Sequence, residues 1–483
     1  PHSVCIWTRS RLPGKIRLSW RPKYERGQPG MAEAEITEEN VSDNTITLDA
    51  EGLEPLTTYG FEVVNDAGEV VGRGGFETAP DGAEQTPEKF SFAVMSCNQP
   101  FNRNGRVYPG AGQMLEAAKQ WMADHSTKFA LMVGDQMYSD FPEPLSLFDE
   151  DYFKTIAPEG RNNILECNPA EVRAIFQRRY RHFWNQKDWM SMQAHIPCYP
   201  ILDDHDIVDN WGSRADHQEP RWRSLGRGAM MAYHDYQGSR VNGNERPYSF
   251  QYGFAYGNTA VYVMDIRSER RAGYNGRLFS DNQQADIENF LAEHGDKAVM
   301  CMVLSVPIVH LPRFLAKTVA ALPRSGEDFS DRWSTGKHIH DRDTLLKIIH
   351  AHQRKHPEQK FLLLSGDIHI GCVHSIQWED GTPALYQLIS SPITHHTSLP
   401  LQWASKAIIR MNKEIATQGK GLKARVRPLQ GITKGMKNPF GKLNMGLVEI
   451  ETPRDGGPPG LRIIFYGHEG GNPVLRFDSG LMR

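Results

Sequence analysis

Four apolar runs in this chain each end in a polar cluster whose residue types can ligate metal. Phe90–Met95 leads into Ser96-Cys97-Asn98-Gln99, and Phe129–Val133 into Gly134-Asp135-Gln136-Met137-Tyr138. Cys198–Leu202 leads into Asp203-Asp204-His205-Asp206, with Asn210 and Trp211 after it, and Phe361–Ser365 into Gly366-Asp367-Ile368-His369. Thiol, phenol, carboxylate, imidazole and amide together make a donor set that mixes soft and hard ligands. A single Asp at a strand end is ordinarily a turn or cap residue. Asp203, Asp204 and Asp206 are harder to explain that way, because clustered acids behind a buried strand repel unless cations or donors compensate. Asp367 and His369, two residues apart, share one side if that segment is extended. The coincidence of four such ends points to a polymetal site.

The elements that must position these clusters read as α/β. In such sheets, ligands collect at the carboxyl ends of strands. Beyond residue 90, strands alternate with helices: Gln113–Asp124, Glu171–His195, a helix near Gln283–Glu293 and another near Asp343–His352. Residues 1–80 instead read as a small β-sandwich, with strands at Val4–Arg9, Lys15–Arg21, Asn44–Asp49, Tyr59–Asn65 and Glu69–Thr78. Ala79–Lys89 is the linker, which gives two expected domains: 1–80, and 90–483. Residues 31–56 carry eight acidic side chains and no basic one, and read as a solvated face. Residues 403–443 hold ten Lys/Arg and one acid, and read as a solvated excursion or a basic lid over an anionic substrate.

Composition narrows the classes. With 483 residues, 39% hydrophobic and a net charge of −3, the chain is neither disordered nor collagenous nor a coiled coil. There is no global basic footprint for nucleic acid and no apolar run long enough to span a bilayer. The start, Pro-His-Ser-Val-Cys, reads as no secretory leader, so the cytoplasm is the default compartment, and the periplasm or exterior applies if an upstream leader is removed. The six cysteines form no CxxC pair and no disulfide framework. No P-loop, GxSxG, HExxH or helix-opening GxGxxG is present, which disfavours P-loop NTPases, α/β-hydrolases, zincins and Rossmann dehydrogenases.

The ordered set Gly-Asp-x-x-Tyr, Asp-Asp-His-acid with a following Asn-Trp, and Ser-Gly-Asp-x-His-x-Gly resembles the alkaline phosphatase D (PhoD-like) phosphatases of the calcineurin-like metallophosphoesterase superfamily. The opening Ser-Val-Cys-Ile-Trp-Thr-Arg, the stretch Gly52–Tyr59, Phe76–Pro80 and Met264-Asp265-Ile266-Arg267 are similar to that family too. The resemblance covers residues 1 to about 395 and implies an α/β/β/α sandwich behind an immunoglobulin/fibronectin-like β-domain. By position it implies metal ligation by Cys97, Asp135, Tyr138, Asp204, Asp367 and His369, with Asn210 and Asp203 as further ligands. His205 falls on the superfamily's catalytic histidine. The implied metals are Fe3+ with Ca2+, or another divalent cation such as Mg2+, Mn2+ or Zn2+. Phenolate and thiolate suit Fe3+, and oxygen-rich positions suit Ca2+ or Mg2+. The superfamily's histidine before the last motif has no match at Ser305-Val306-Pro307, where His310 is the nearest substitute.

The expected activity is metal-dependent hydrolysis of phosphate mono- or diesters, with a metal-bound or bridging hydroxide or oxide as nucleophile. His205 would stabilise or protonate the leaving oxygen. Arg267 would clamp phosphate or pair with Asp265, and His395-His396 would line the pocket. One alternative is a phospholipase D-type phosphodiesterase, with 403–443 facing lipid. The other is a binding protein whose metal site is structural.

Overall fold

The computed structural model describes residues 1–24, 27–242, 248–271, 276–310, 312, 331–419 and 421–483. Lys420 of the basic stretch lies outside them. Two large sheets carry the candidate site. In the first, Lys89–Met95, Ala130–Val133 and Cys198–Ile201 run parallel, and Met445–Glu451 adds antiparallel beside Lys89–Met95. Gly460–Glu469 and Asn472–Asp478 complete six strands. In the second, Thr259–Val263, Val299–Val303, Lys360–Ser365 and Leu385–Ile389 run parallel within eight strands. These parallel strands are continuous apolar runs, the pattern expected where both faces are covered. Helices Pro109–Asp124 and Pro169–Trp184 accompany the first sheet, and Asp281–Glu293 and Ile339–Lys355 accompany the second. The result is the α/β/β/α arrangement.

Contacts between the sheets lie next to the candidate ligands. Ser390 Oγ donates to Val94 O at 2.6 Å, and Ser96 Oγ donates to Ser390 O at 2.9 Å. A Cβ at Gly366 would sit 2.2 Å from Ser96 Oγ, so glycine permits this approach.

The N-terminal residues form a two-stranded sheet, Ser3–Arg9 with Thr45–Glu51, and a four-stranded sheet. They enclose their own core, which includes Ile16, Leu18, Leu48 and Tyr59. One of the four strands, Gly30–Ile36, lies in the acidic stretch and was not anticipated. Glu33 and Glu35 are exposed, whereas Ala32 and Ala34 face inward, so the strand has a solvated acidic side. The basic stretch departs further from expectation. It contributes the end of helix Leu399–Met411 and two strands, Glu414–Ala416 and Lys423–Pro428. Lys423–Pro428 pairs with Cys372–Trp378 and extends the eight-stranded sheet, burying Ala424 and Val426 while Lys423, Arg425 and Arg427 face water. The stretch is thus partly an edge of the sheet. The long helix expected over Glu171–His195 is two helices, Pro169–Trp184 and Lys187–Gln193, separated at Asn185-Gln186.

Trp7 fastens the N-terminal sheets to the α/β body. Its indole N–H donates to Asp235 O at 2.8 Å, and its ring meets Trp184 and Tyr236 at 5.6 and 5.5 Å. Asp43 accepts from Arg9, Arg181 and Tyr236. Burial opposes its charge, but these donors outweigh it and hold the carboxyl below its usual range. The stabilisation is therefore present above the unfolded carboxylate value of about 3.9 and is lost as pH falls through the lower folded value. Asp43→Ala is expected to cost about 2 kcal/mol at neutral pH. The difference from the parent should shrink in strong acid, as read by urea unfolding at pH 7 and pH 3. No helix among the described residues is long and apolar enough to cross a membrane.

Candidate metal centre

The carboxyl ends of both sheets converge. Cys97, Asp135 and His369 place one donor atom each within 4.8 Å of one another, as do Asp135, Asp204 and His205, and Asp203, Asp204 and Asp367. Asp135 and Asp204 are shared, so the three groups form a chain linked through carboxylates. Tyr138 joins the first group, its hydroxyl 3.4 Å from Asp135 Oδ2 and 3.3 Å from His369 Nε2. Cys97 Sγ lies 3.3 Å from Asp135 Oδ2 and accepts from Ser391 Oγ at 3.0 Å. Asn210 donates its backbone N–H to Asp204 Oδ2 at 2.8 Å.

The loops that present these residues are strained. Nine described non-glycine residues have positive φ, and five of them are Cys97, Asp135, Asn210, Asp367 and His369, with φ between 53° and 64°. Each such conformation costs on the order of 1 kcal/mol or more and persists only where the surroundings over-determine it. Asp206 is one such determinant. Its Oδ2 accepts from the backbone N–H of Asp135 at 3.0 Å and of Asp203 at 2.9 Å, tying two ligand loops together. Gly134, at φ 104°, is another, since a Cβ there would meet Asp203 Cβ at 2.6 Å. Arg179 is a third, donating to the carbonyls of Tyr138 and Phe141 at 2.7 Å each.

Burial pushes Asp135, Cys97 and Tyr138 well above their ordinary values; Asp135 adds to the rise of Cys97 and Tyr138, and Asp203, Asp204 and Asp206 add to that of Asp135. Asp203 is raised to about 6 by burial and Asp206 to about 7. Burial would raise Asp204 too, but Arg267 and His205 outweigh it and pull this carboxyl down. His369 is driven to about 3, chiefly by burial, so its imidazole is neutral with a lone pair to give. Asp135 Oδ1 and Asp203 Oδ2 are buried acceptors with no hydrogen-bond partner. Orphaned carboxylate oxygens beside thiol, phenol and neutral imidazole fit multivalent cations, which would reverse the repulsion.

His205 stands at the rim. Its ring stacks on Tyr138 at 4.2 Å, and its Nδ1 is 2.8 Å from Asp140 Oδ1. Burial alone would lower its pKa. Asp140 and Asp204 outweigh burial and hold the imidazole protonated well above its usual value.

Arg267 does not occupy a phosphate-clamping position. It is fully buried, its Nε donates to Asp203 Oδ1, and Nη1 and Nη2 reach Asp331 at 2.8 and 2.9 Å. Asp265 accepts only its backbone N–H, at 3.0 Å, so the side-chain pair expected with Asp265 is made with Asp203 and Asp331 instead. His310 is buried with Nδ1 unpartnered and is in none of the three groups. His395 Nδ1 lies 2.8 Å from His369 Nε2, whereas His396 is exposed. Asp206, one of the clustered strand-end acids, ties ligand loops together, while Asp140, Asp331 and Arg332 were not anticipated. Arg332 Nη1 lies against Asp367 Oδ2. Of these, only Asp140 carried a sequence signal, as an acid two residues beyond Tyr138.

Residues 92–301 match the model of the PhoD-like phosphatase family. The fold is similar to the solved structure of PhoD, with TM-score 0.63 at 15% identity over 98% of this chain and 89% of that one. It is also similar to purple acid phosphatase PPD1 from yellow lupin (Lupinus luteus) seeds, with TM-score 0.55 at 10% identity over 99% of this chain and 71% of that one. In sequence it is 22% identical over 315 residues to the Saccharomyces cerevisiae uncharacterized protein YGR266W, covering 50% of this chain and 44% of that protein. The chain thus spans less than half the length of that curated relative. Residues 92–301 are thus similar to the PhoD-like phosphatases, and the α/β fold that carries them is similar to those of PhoD and the lupin purple acid phosphatase.

Proposed function

We propose that the protein hydrolyses small phosphate mono- or diesters at the Cys97–His369 cluster. The observation that carries this reading is the chain of three donor groups sharing Asp135 and Asp204, with a protonated His205 at its rim. Cys97, Asp135, Tyr138 and His369 would hold Fe3+, and Asp203, Asp204, Asn210 and Asp367 would hold Ca2+ or another divalent cation. When bound, such cations neutralise the ester oxygens and bring the pKa of water toward about 7. His205 keeps Nδ1–H on Asp140 and so offers Nε2–H to the leaving oxygen. Asp140 orients the ring and stabilises its charge.

Tyr138→Phe tests the ligand assignment. The parent, loaded with Fe3+, is expected to absorb visible light through the phenolate, and the variant should lose that band together with most of its iron. Full iron occupancy and an unchanged spectrum in the variant would remove Tyr138 from the ligand set. Parallel assays of a soluble monoester and a diester decide the ester preference.

A second reading, a phospholipid ester as substrate, rests on helix Leu399–Met411. Leu399, Leu401 and Trp403 are exposed there, Trp403 at 75%, at the start of the basic stretch. Apolar side chains beside clustered Lys/Arg suit an anionic lipid surface. Trp403→Glu should then lower turnover of vesicle phospholipid about tenfold and leave a soluble diester unaffected. Equal effects on both substrates would discard this reading.

A further inference from the structure

Beside the Arg267–Asp331 pair lies a cavity of about 460 Å3, within the range of small-molecule sites. No candidate metal ligand lines it, although Trp211, the neighbour of Asn210, does. One wall is helix Pro220–Tyr233, and the opposite wall is the segment around residues 268–271. Arg223 and Arg227 stand one helical turn apart on that wall, where like charges repel unless something anionic lies between them. Arg271 faces the same space. Among the described residues, none of these three exposed guanidiniums has an acidic partner.

The interior adds two buried donors. His217, 1% exposed, accepts the backbone N–H of Gly212 on Nδ1 at 2.9 Å. Its proton is therefore on Nε2, which has no hydrogen-bond partner. Burial lowers this imidazole to about 4, so it acts as a neutral donor near pH 7. Arg270, 4% exposed, reaches Asp331 Oδ1 with Nη1 at 2.8 Å and leaves Nε without a partner. Buried donors without acceptors are costly, and a ligand is one way to satisfy them. Two carboxylates also line the cavity: Glu269, whose Oε2 is buried and unpartnered, and Asp281, which Arg277 pairs at 3.0 Å.

We propose that this cavity is a second anion site, which binds a small phosphorylated compound. Its phosphate would meet the rim arginines and the two interior donors, and its hydroxyls would meet Glu269. Arginine suits the role because its planar fork matches phosphate oxygens in pairs. The proposal does not rest on the metal centre.

Isothermal titration of the metal-loaded full chain with inorganic phosphate tests it. The parent is expected to bind two equivalents, one in the cavity and one at the metal centre. Arg223→Gln with Arg227→Gln should remove one equivalent or weaken it at least tenfold. Arg271→Gln, in an exposed position outside the helix, should weaken the same equivalent. Were the metal centre to bind no phosphate, the parent would take up one equivalent and the double variant none, which still supports the cavity. Equal stoichiometry and affinity in the parent and both variants would overturn the proposal.

Discussion

Asp135→Asn is expected to leave the fold intact and to lower phosphoester hydrolysis by about a thousandfold or more. In free-energy terms this is on the order of 4 kcal/mol in the transition state. Asn is nearly isosteric with Asp and is among the residues that tolerate the left-handed backbone, which Asp135 adopts at φ 56°. The substitution therefore changes charge and not conformation. Because Asp135 belongs to two of the three donor groups, one change removes a ligand from both. Stability should respond in the opposite sense. In the metal-free protein burial, aided by Asp203, Asp204 and Asp206, outweighs the attraction of His205 and disfavours the ionised carboxyl, so Asn removes a net-unfavourable buried group. The metal-free variant should thus unfold at a temperature equal to or above that of the metal-free parent, while bound metal should stabilise it less. Elemental analysis, turnover and thermal unfolding with and without chelator give the three readouts. Unchanged metal content together with unchanged turnover would remove Asp135 from the centre.

Arg267→Met is expected to have the largest effect on stability, about 3–5 kcal/mol. The guanidinium is fully enclosed by Asp203, Asp331 and the Trp211 carbonyl, with Asp204 Oδ2 at 3.6 Å. Met fills a similar volume but leaves Asp203 and Asp331 buried without their counter-charge. Lys would restore the charge without the fork that reaches both carboxylates, so Arg267→Lys should recover only part of the loss. Urea unfolding of the three proteins checks this, and a cost below about 1 kcal/mol for Met would contradict the anchor role. Loss of turnover in the Met variant is expected as a consequence, since Asp203 and Asp204 lose the group that fixes them. KM and kcat should deteriorate together with metal content, unlike the loss of a direct substrate contact.

The four strand-end clusters were legible because an apolar run that stops abruptly in acids and histidine is conspicuous in one dimension. Asp331 and Arg332 carry no such mark, since the sequence just before them is mostly polar and they matter only through pairing across more than sixty residues with Arg267 and across the site with Asp367. Helix Pro220–Tyr233 escaped notice because its buried face is largely small, with Gly226, Gly228, Ala229 and Ala232. Strand Gly30–Ile36 was hidden by the same cause, with alanines and glutamates alternating where β-branched residues are the usual signal. Lys423–Pro428 alternates correctly, but its exposed basic side outweighed Ala424 and Val426 in the count of charge. Left-handed conformations at non-glycine ligands have no sequence signature, since the tertiary structure imposes them.

The strand order of the six-stranded sheet has a consequence for biosynthesis. Every candidate ligand lies between residues 97 and 369, yet Lys89–Met95, which presents Cys97, is flanked on one side by Met445–Glu451. A nascent chain that has already exposed all its ligands still lacks that neighbour until some eighty further residues have left the ribosome. Until then the edge of Lys89–Met95 is open to pairing with other chains, and the loop carrying Cys97 is supported on one side only. Metal capture should therefore be a late, post-translational event, and a ribosome-stalled chain ending near residue 400 should take up little iron even though it contains every donor.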